Sequence, residues 1–575
     1  MSIALGIDLG TTNSVAAIMQ DGQPVVIPCC EGNRLIPSVV AFSTGGRRIV
    51  GRMAKCQAVA NPEGTAISVK RKMGTGTKLS LHSGEYTPQE ISAMILGKIK
   101  SDVEAYLETE VSGAVITVPA YFNDGQRHAT REAGQIAGFE VMRILNEPTA
   151  ACLAYRLDRE GAQTVLVWDL GGGTFDVSII ELNGEVFQVR AVGGDTRLGG
   201  DDYDQRIVEY MLERFRRERG IDLGEDKVAL QRLKEAAERL KVNLSRSLVS
   251  RITLPSIVSG SEGSGHLDFT LTREEIQDLT SDLVRRMIPP TRRALSDARL
   301  TPGQVDTGIL VGGATRMPAV KDALRDLLEK EPLASENPDE IVALGAAVQA
   351  GILTGQTSKK VLVDVVPLSL GIETLGGIFS RIIERNTPIP TSESLIVTNA
   401  EDNQVEVEVH VLQGERAMAG DNIALGKFQL QGVQPAARGS ARVEVAFEVD
   451  VDGILGVSAE DLYSGNGERL GVSSTRGLDP EEIERMVKDA AVYAEEDARM
   501  REEVETHIYA DNVIRGAEMS LERADIESEA SLAEEVESAL IDLKRAITGG
   551  DRDEISRLAG VLESCARPLL KSACR

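Results

Sequence analysis

Two short segments hold the residues best suited to chemistry. Ile7-Asp8-Leu9-Gly10-Thr11-Thr12-Asn13-Ser14-Val15 recurs in altered form as Trp168-Asp169-Leu170-Gly171-Gly172-Gly173-Thr174-Phe175-Asp176-Val177. Glycines in a tight turn let backbone N–H groups come close to a phosphate, and threonine hydroxyls add donors. The chain has no GxxxxGK[ST] loop, and neither segment is a GxGxxG fingerprint. The phosphate reading therefore rests on the pairing of the turns. Each copy opens with an aspartate at a strand end, and two carboxylates facing a triphosphate repel it and each other. A divalent cation between them, hydrated magnesium above all, removes that conflict. Glu147, in Asn146-Glu147-Pro148-Thr149-Ala150-Ala151, and Asp176 are carboxylates able to orient or deprotonate a water. Lys70, in Val69-Lys70-Arg71, can bring positive charge to a transferring phosphoryl group. Taken singly, a lysine or glutamate of this kind is more often a solvated surface residue.

The elements that must position these groups follow from the hydrophobic pattern. Residues 1–357 alternate β-branched runs with amphipathic stretches, which predicts an α/β domain. Ala114–Val118 reads as a strand before a helix near Asp124–Ala137, and Gly308–Val311 as a strand before a helix near Pro318–Leu327. Each phosphate-type turn lies between two apolar strands, once per half of the domain. A duplicated fold of two lobes would set the turns opposite each other across a cleft. Residues 365–476 change to short strands punctuated by Gly, Pro and Asn-Asp, an all-β domain; Val405–Val411 alternates and should place its valines on one face. From 477 to 575 the pattern is helical, and residues 479–575 hold 13 basic against 25 acidic side chains, which predicts a helical bundle or lid. Residues 358–364, with Val361-Leu362-Val363, read either as the first strand of the β domain or as a linker whose apolar side chains dock on the first domain.

Composition excludes other classes. The 575 residues carry a net charge of −26, which repels phosphate backbones and argues against nucleic-acid or anionic-membrane binding. Aromatic residues at 3% are too few for a platform that stacks single strands. The first basic residue is Arg34, so no export or transit signal is expected. The longest apolar run, Ile341–Leu353, is interrupted by Gln349 and is too short to span a bilayer. Six cysteines without a CxxC, Cys29 and Cys30 adjacent, suit a reducing cytoplasm and read as buried small hydrophobes. Five scattered histidines without HExxH spacing give no zinc site.

Longer motifs carry a family resemblance. Gly6–Ser14 "GIDLGTTNS", Ile116–Asp124 "ITVPAYFND", Asn146–Ala151 "NEPTAA", Leu198–Asp202 "LGGDD", Leu310–Pro318 "LVGGATRMP", Pro367–Thr374 "PLSLGIET", Val411–Arg416 "VLQGER" and Asp452–Leu455 "DGIL" run almost end to end. The chain resembles the seventy-kilodalton heat-shock chaperones, specifically the bacterial DnaK type with a compact Gram-positive-like first domain. It ends at Arg575 within a short lid. The resemblance implies a two-lobed actin-like ATPase domain, a β-sandwich that grips extended apolar peptides, and an α-helical lid.

Residue roles follow from the same match. Thr11, Thr12 and Asn13 with Gly171, Gly172, Gly173 and Thr174 are implied to cradle the phosphates of ATP or ADP, alongside Gly199 and Gly200. Asp8 and Asp169 would hold Mg2+ through water, Lys70 would support the hydrolytic water, and Glu147 with Asp176 would position it. Thr174 is similar to a threonine that phosphorylates itself. The adenosine would lie between Glu238, Lys241 and Ser245 on one side and Gly312, Gly313, Ala314, Arg316 and Asp339 on the other. Pro119 and Arg127 resemble a nucleotide-sensing switch, Arg143 with Asn146 falls in the stretch implied to relay contact with a J-domain protein, and Asp364 is implied as a further allosteric position. The linker departs from the family pattern, since Lys359-Lys360 precede only three apolar residues. Ile372, Thr374, Leu375, Ile378, Val397, Ala400, Val407 and Val409 would line the peptide groove. Val397 stands where bacterial members commonly carry Phe, which implies a roomier central pocket.

The implied activity is ATP-driven binding and release of unfolded or nascent polypeptides, with a J-domain co-chaperone and a nucleotide-exchange factor as partners. Three other readings share parts of the pattern: a chaperone dedicated to iron–sulfur scaffold proteins, an actin-fold sugar kinase, and an actin-like filament former. The kinase leaves everything after the linker without a role.

Overall fold

The computed structural model describes residues 3–155, 162–258, 265–334, 337–357, 360–374, 377–415, 419–437 and 439–471. Beyond those it describes residues 506, 509–510, 513–514, 517–518, 520–521, 530–549 and 551–572. Contacts divide the chain into a unit of residues 1–487 and a unit of residues 488–575. The architecture is mixed α/β.

The larger unit is organised around two sheets with the same plan. In the first, Ile3–Asp8 runs antiparallel to Asn13–Gln20 and parallel to Val111–Val118, which in turn pairs with Glu140–Asn146. In the second, Gln163–Leu170 runs antiparallel to Phe175–Asn183 and parallel to Thr307–Val311. The tight turns Gly10–Thr12 and Gly171–Thr174 thus sit at the same place in each plan, as the repeated sequence requires. The strands buried on both faces are near-continuous β-branched runs: Ala114, Val115, Ile116 and Val118 are fully buried, as are Val165, Leu166 and Val167.

The longest apolar run, broken only by the buried Gln349, forms the helix Ile341–Leu353. A helix apolar all round must be buried all round, and this one packs against strands Ile3–Asp8 and Asn13–Gln20 and the short helix Glu147–Ala154. Glycine makes the approach possible. A Cβ on Gly345 would stand 1.6 Å from the Ala150 carbonyl oxygen, and one on Gly6 would stand 2.0 Å from the Ala347 nitrogen. Neither obstacle is a flexible side chain. Gly345→Ala is therefore expected to destabilise the larger unit by about 3 kcal/mol or more, read as a lowered calorimetric transition. A loss below about 0.5 kcal/mol, the range of a featureless surface site, would contradict this packing.

The helix Asp124–Ile136 starts where Asn123 caps it: the Asn123 side chain accepts from the Gln126 N–H at 2.9 Å and the Gln126 side chain accepts from the Asn123 N–H at 3.0 Å. Its first turn meets the strand Leu455–Asp461, whose Leu455 N–H donates to Asp124 Oδ1 at 2.8 Å.

The β region builds two four-stranded sheets. One has the order Ile378–Ile383, Leu370–Thr374, Glu406–Gln413, Ile423–Gln431; the other has Thr391–Val397, Val443–Val449, Leu455–Asp461, Gly467–Gly471. Their buried faces share one core, in which Ile372, Val407, Val409 and Val411 meet Val443, Val445, Phe447 and Val457. The alternation of Val405–Val411 holds from Val407 on, whereas Val405 precedes the strand and is exposed.

In the unit 488–575, helices Ala530–Gly549 and Arg552–Ser572 pack through Val536, Leu540, Leu543, Ile555, Ala559 and Leu562, joined by Ala510, Ile514 and Ala517. Residues 477–505, the terminal Cys574 and His507 lie outside the described residues. Of the described cysteines, Cys29 and Cys152 are buried but Cys56 is exposed, so the expectation of burial fails there. Among the described residues no helix is long and apolar enough to cross a membrane.

Candidate functional site

The two turns meet. A Cβ on Gly172 would fall 1.9 Å from Thr12 Oγ1, one on Gly173 would fall 2.9 Å from Thr11 Oγ1, and one on Gly199 would fall 2.5 Å from the Gly172 and Gly173 backbone. Only glycine leaves room for this contact between the lobes. The backbone is knitted locally, with Gly171 N donating to Thr174 O at 3.1 Å and Gly200 N to Gly171 O at 2.9 Å. From the other lobe, Ser38 donates its hydroxyl to Gly10 O at 2.7 Å and its N–H to Thr12 O at 2.9 Å. Thr11 and Thr174 are buried in this seam.

A group of acids surrounds it. Asp169 and Asp176 are buried, as are Glu147 and Lys70. Lys70 Nζ donates to Glu147 Oε1 at 2.5 Å. Burial, Glu147 and Asp339 push the Asp8 carboxyl up to about 7, against the pull of Lys70. Burial, then Glu147, push Asp176 to about 7, although the Tyr121 N–H donates to its Oδ1 at 2.9 Å. Burial with Glu147, Asp176 and Asp8 holds Asp169 well above the ordinary range. One lysine shared among four carboxylates leaves negative charge that a cation would settle. These residues therefore fit a hydrated magnesium ion held by Asp8 and Asp169. Among the described residues no three His, Cys, Asp or Glu side chains converge as direct metal ligands.

The remaining expected nucleotide contacts stand around the same cleft, several of them engaged with one another. Lys241 Nζ donates to Gly200 O at 2.9 Å and Asp204 Oδ2 at 2.7 Å, and Ser245 Oγ donates to Lys241 O at 2.9 Å. Arg316 Nη2 donates to Asn337 Oδ1 at 3.0 Å and Asp339 Oδ2 at 3.1 Å. A Cβ on Gly313 would lie 2.4 Å from Asp339 Oδ1, and Gly312 adopts φ +83° against the Leu170 carbonyl. Glu238 bonds Lys55 Nζ at 2.8 and 2.9 Å, tying two segments far apart in sequence. Asn13 begins the strand Asn13–Gln20, and its backbone pairs with Pro37.

Sequence reasoning missed several groups here. Ser68 Oγ donates to Asp201 Oδ2 at 2.6 Å, and Arg71 Nη2 to Asp202 Oδ2 at 2.5 Å, joining the Lys70 segment to the helix after Gly199. The "LGGDD" motif held the acids, but nothing in it pointed to residues 68 and 71.

A second constellation connects this cleft to the β region within the same unit. Pro119 is buried, and its carbonyl accepts the Phe122 N–H at 3.1 Å. Buried Arg127 donates to Phe122 O at 3.2 Å, Ala120 O at 3.1 Å and Asn146 Oδ1 at 2.7 Å. Asn146 Nδ2 in turn donates to Asp364 Oδ2 at 2.7 Å. Asp452 receives Arg131 and Arg143 as ion pairs, the latter at 3.3 Å, and accepts the Ile144 N–H at 3.2 Å. Leu455 N donates to Asp124 Oδ1 at 2.8 Å, and Arg385 pairs with Asp297 at 2.8 Å. The segment Val361–Val365 adds itself as a parallel strand beside Val186–Asp195, with Val361 N donating to Glu185 O at 2.9 Å. The segment thus joins the sheet of Val186–Asp195, while Asp364 and Val365 also pair with Ile389 and Pro388 of the β region; Ser358 and Lys359 lie outside the described residues.

Asp124 gives this junction a pH dependence. Burial pushes its carboxyl from 3.8 up to about 6, although Leu455 N–H, His128 and Arg127 pull it down. A carboxyl raised in the folded state binds a proton that the unfolded chain has already lost. Its contribution to stability is full below about pH 4 and is lost as pH rises through about 6. Asp124→Asn should remove that limb, so the difference in unfolding free energy between wild type and variant should change by up to ~1.4 kcal/mol per pH unit across it. A difference that stays constant from pH 4.5 to 7 would contradict the buried, raised carboxyl.

Of the expected groove residues, Ile372, Val407 and Val409 are buried in the shared core of the two sheets, Val397 packs at its edge, Thr374 is half-buried and Ala400 is exposed. Leu375 lies outside the described residues, as does the side chain of Ile378. Glu406 and Glu408 face solvent, Glu408 pairing with Lys427 at 3.1 Å.

Two Gly/Thr turns that meet between sheets of the same plan, with a pair of four-stranded β sheets after them in sequence, make up the mixed α/β architecture of the larger unit. A family model described as Hsp70 protein matches residues 4–81 and 75–574. The chain belongs to the Hsp70 family, whose members are chaperones that bind ATP or ADP with Mg2+ and act as ATPases.

Proposed function

We propose that this chain is an ATP-dependent molecular chaperone of the bacterial DnaK type, acting in the cytoplasm. In this reading residues 1–357 are the ATPase domain, 358–364 the linker, 365–476 the peptide-binding domain and 477–575 the lid. The observation that carries it is the hydrogen-bonded route from Asp176 through the Tyr121–Arg127 segment and Asn146 to Asp364 of the linker.

Asp8 and Asp169 would hold hydrated magnesium, which supplies charge neutralisation to the phosphates when bound. Thr11, Thr12, Asn13 and Gly171–Thr174 present hydroxyl and N–H donors to the phosphate oxygens. Lys70 holds Glu147 in place and keeps a positive charge beside the transferring phosphoryl group. Asp176, with its carboxyl near the operating pH, orients the attacking water and accepts its proton. Thr174, buried in the seam, is the hydroxyl closest in role to self-phosphorylation. A change of lobe spacing moves Tyr121 and Arg127, and through Asn146 it loosens Asp364 and the linker strand. Release of the linker lets the β domain leave the first and change its grip on peptide. Extended apolar segments of unfolded or nascent chains would be held by backbone bonds and by a pocket of Ile372, Val397, Val407 and Val409. A J-domain co-chaperone and a nucleotide-exchange factor complete the cycle.

The test is the ATPase itself. Hydrolysis should rise severalfold with an unfolded apolar peptide and stay unchanged with sugars. Hydrolysis that responds to a sugar hydroxyl and not to peptide would replace this reading with a kinase.

A further inference from the structure

The linker strand has an unusual clasp. Its pairing with Val186–Asp195 is short: Val361, Leu362 and Val363 stand against Val186, Phe187 and Gln188. Apolar burial there is modest, because Val361 is 52% exposed and Val186 is 39% exposed, while Leu362 only packs against the rim of the core. Three backbone pairs with so little covered surface make a weak dock. Just before them, the ammonium of Lys360 lies over the Phe187 ring, 5.2 Å from its centroid. Phe187 itself is 6% exposed and belongs to the core beneath the strand, so the ring is a fixed platform. An ammonium over an aromatic face at this distance is attracted by the ring quadrupole, and the lysine stem covers apolar surface at the same time.

The geometry points to Lys360 as the residue that fastens the exposed leading end of the docked linker, through a cation–ring clasp on Phe187, while Asp364 and the buried Val365 hold its other end. Lys360 is a positioning residue: it touches neither the cleft nor the groove and acts through the strand register of Val361–Val363. It sets how large a fraction of the ATP-bound protein has its linker docked, and so how strongly the cleft controls the peptide domain. This inference rests on the coupling proposed above.

The experiment is amide hydrogen exchange at Val361, whose N–H is bonded to Glu185 O, in the full chain with saturating ATP and with ADP. In wild type, ATP should protect Val361. In Lys360→Gln, which keeps length and loses charge, that protection should fall roughly two- to fivefold. Lys360→Arg should retain it, since a guanidinium also sits on a ring face. Phe187→Leu should match Lys360→Gln, and the double variant should lose no more than either single one. Equal protection in wild type and Lys360→Gln, or losses that multiply in the double variant, would overturn the clasp. Because Phe187→Leu touches the core, the Gln and Arg variants decide the matter if it fails to fold. No ATP-dependent protection in wild type at all would bring down the coupling reading and not merely the clasp.

Discussion

Lys70→Ala is expected to slow ATP hydrolysis by about 10²- to 10⁴-fold, the range of a lost charged group at a reacting centre, while ATP still binds. The reason is local charge. Lys70 lies buried within 2.5 Å of Glu147, and it is the cation that pulls against the raised carboxyls of Asp8, Asp169 and Asp176. Without it Glu147 stays buried with no partner, a change that costs about 3–5 kcal/mol when one member of a buried pair is removed. Part of that cost is met by protonating a carboxylate, and a protonated acid cannot take the proton of the attacking water. Lys70→Arg should restore stability better than rate, since its fork cannot occupy the same position beside Phe122, whose ring centroid stands 5.8 Å from Nζ. Single-turnover hydrolysis with ATP affinity measured in parallel checks the pair of claims. A rate within tenfold of wild type would remove Lys70 from the chemistry.

The second large effect is expected at Asp452, far from the cleft. Asp452→Asn keeps the shape but gives up the charge that holds Arg131 and Arg143, both of which burial already makes reluctant to stay charged. Loss of a buried partner is worth about 3–5 kcal/mol, and coupling between two sites is typically about 1–3 kcal/mol. The first quantity exceeds the second, so the variant should spend most of its time undocked even with ATP bound. ATP-stimulated peptide release should then disappear, with basal hydrolysis kept within a few-fold. Retention of full ATP-stimulated release would show that the Asp452 cluster is a passenger at the interface.

Much of the fold was legible because it repeats. The turn at Gly10–Thr12 and that at Gly171–Thr174 share residue types, and a duplicated plan demands that they hold equivalent positions, as the two sheets do. The helix Ile341–Leu353 was legible in part: its mostly apolar run marks burial, although the sequence does not say that Gly345 is pressed against Ala150. Contacts formed over long separations were not legible. Arg127 and Asp452 are 325 residues apart, and Asp124 and Leu455 are 331 apart, so no local period links them. "DGIL" marked a family motif and gave no sign of the two arginines that pair with its aspartate. Lys360 is a related case. In the sequence it is one of two lysines that precede only three apolar residues, a departure from the family's linker pattern, and only the fold brings the ring of Phe187 beneath it.

The central claim is that nucleotide in the cleft governs grip in the β domain. It is tested most directly by the dissociation rate of a fluorescent apolar peptide from the full chain, first with ADP and then with ATP. ATP should accelerate release by roughly tenfold or more, and peptide should weaken ATP binding by the same factor as its affinity is weakened, because linked equilibria are reciprocal. Identical release rates with ATP and ADP, at concentrations where both are shown to be bound, would contradict the account.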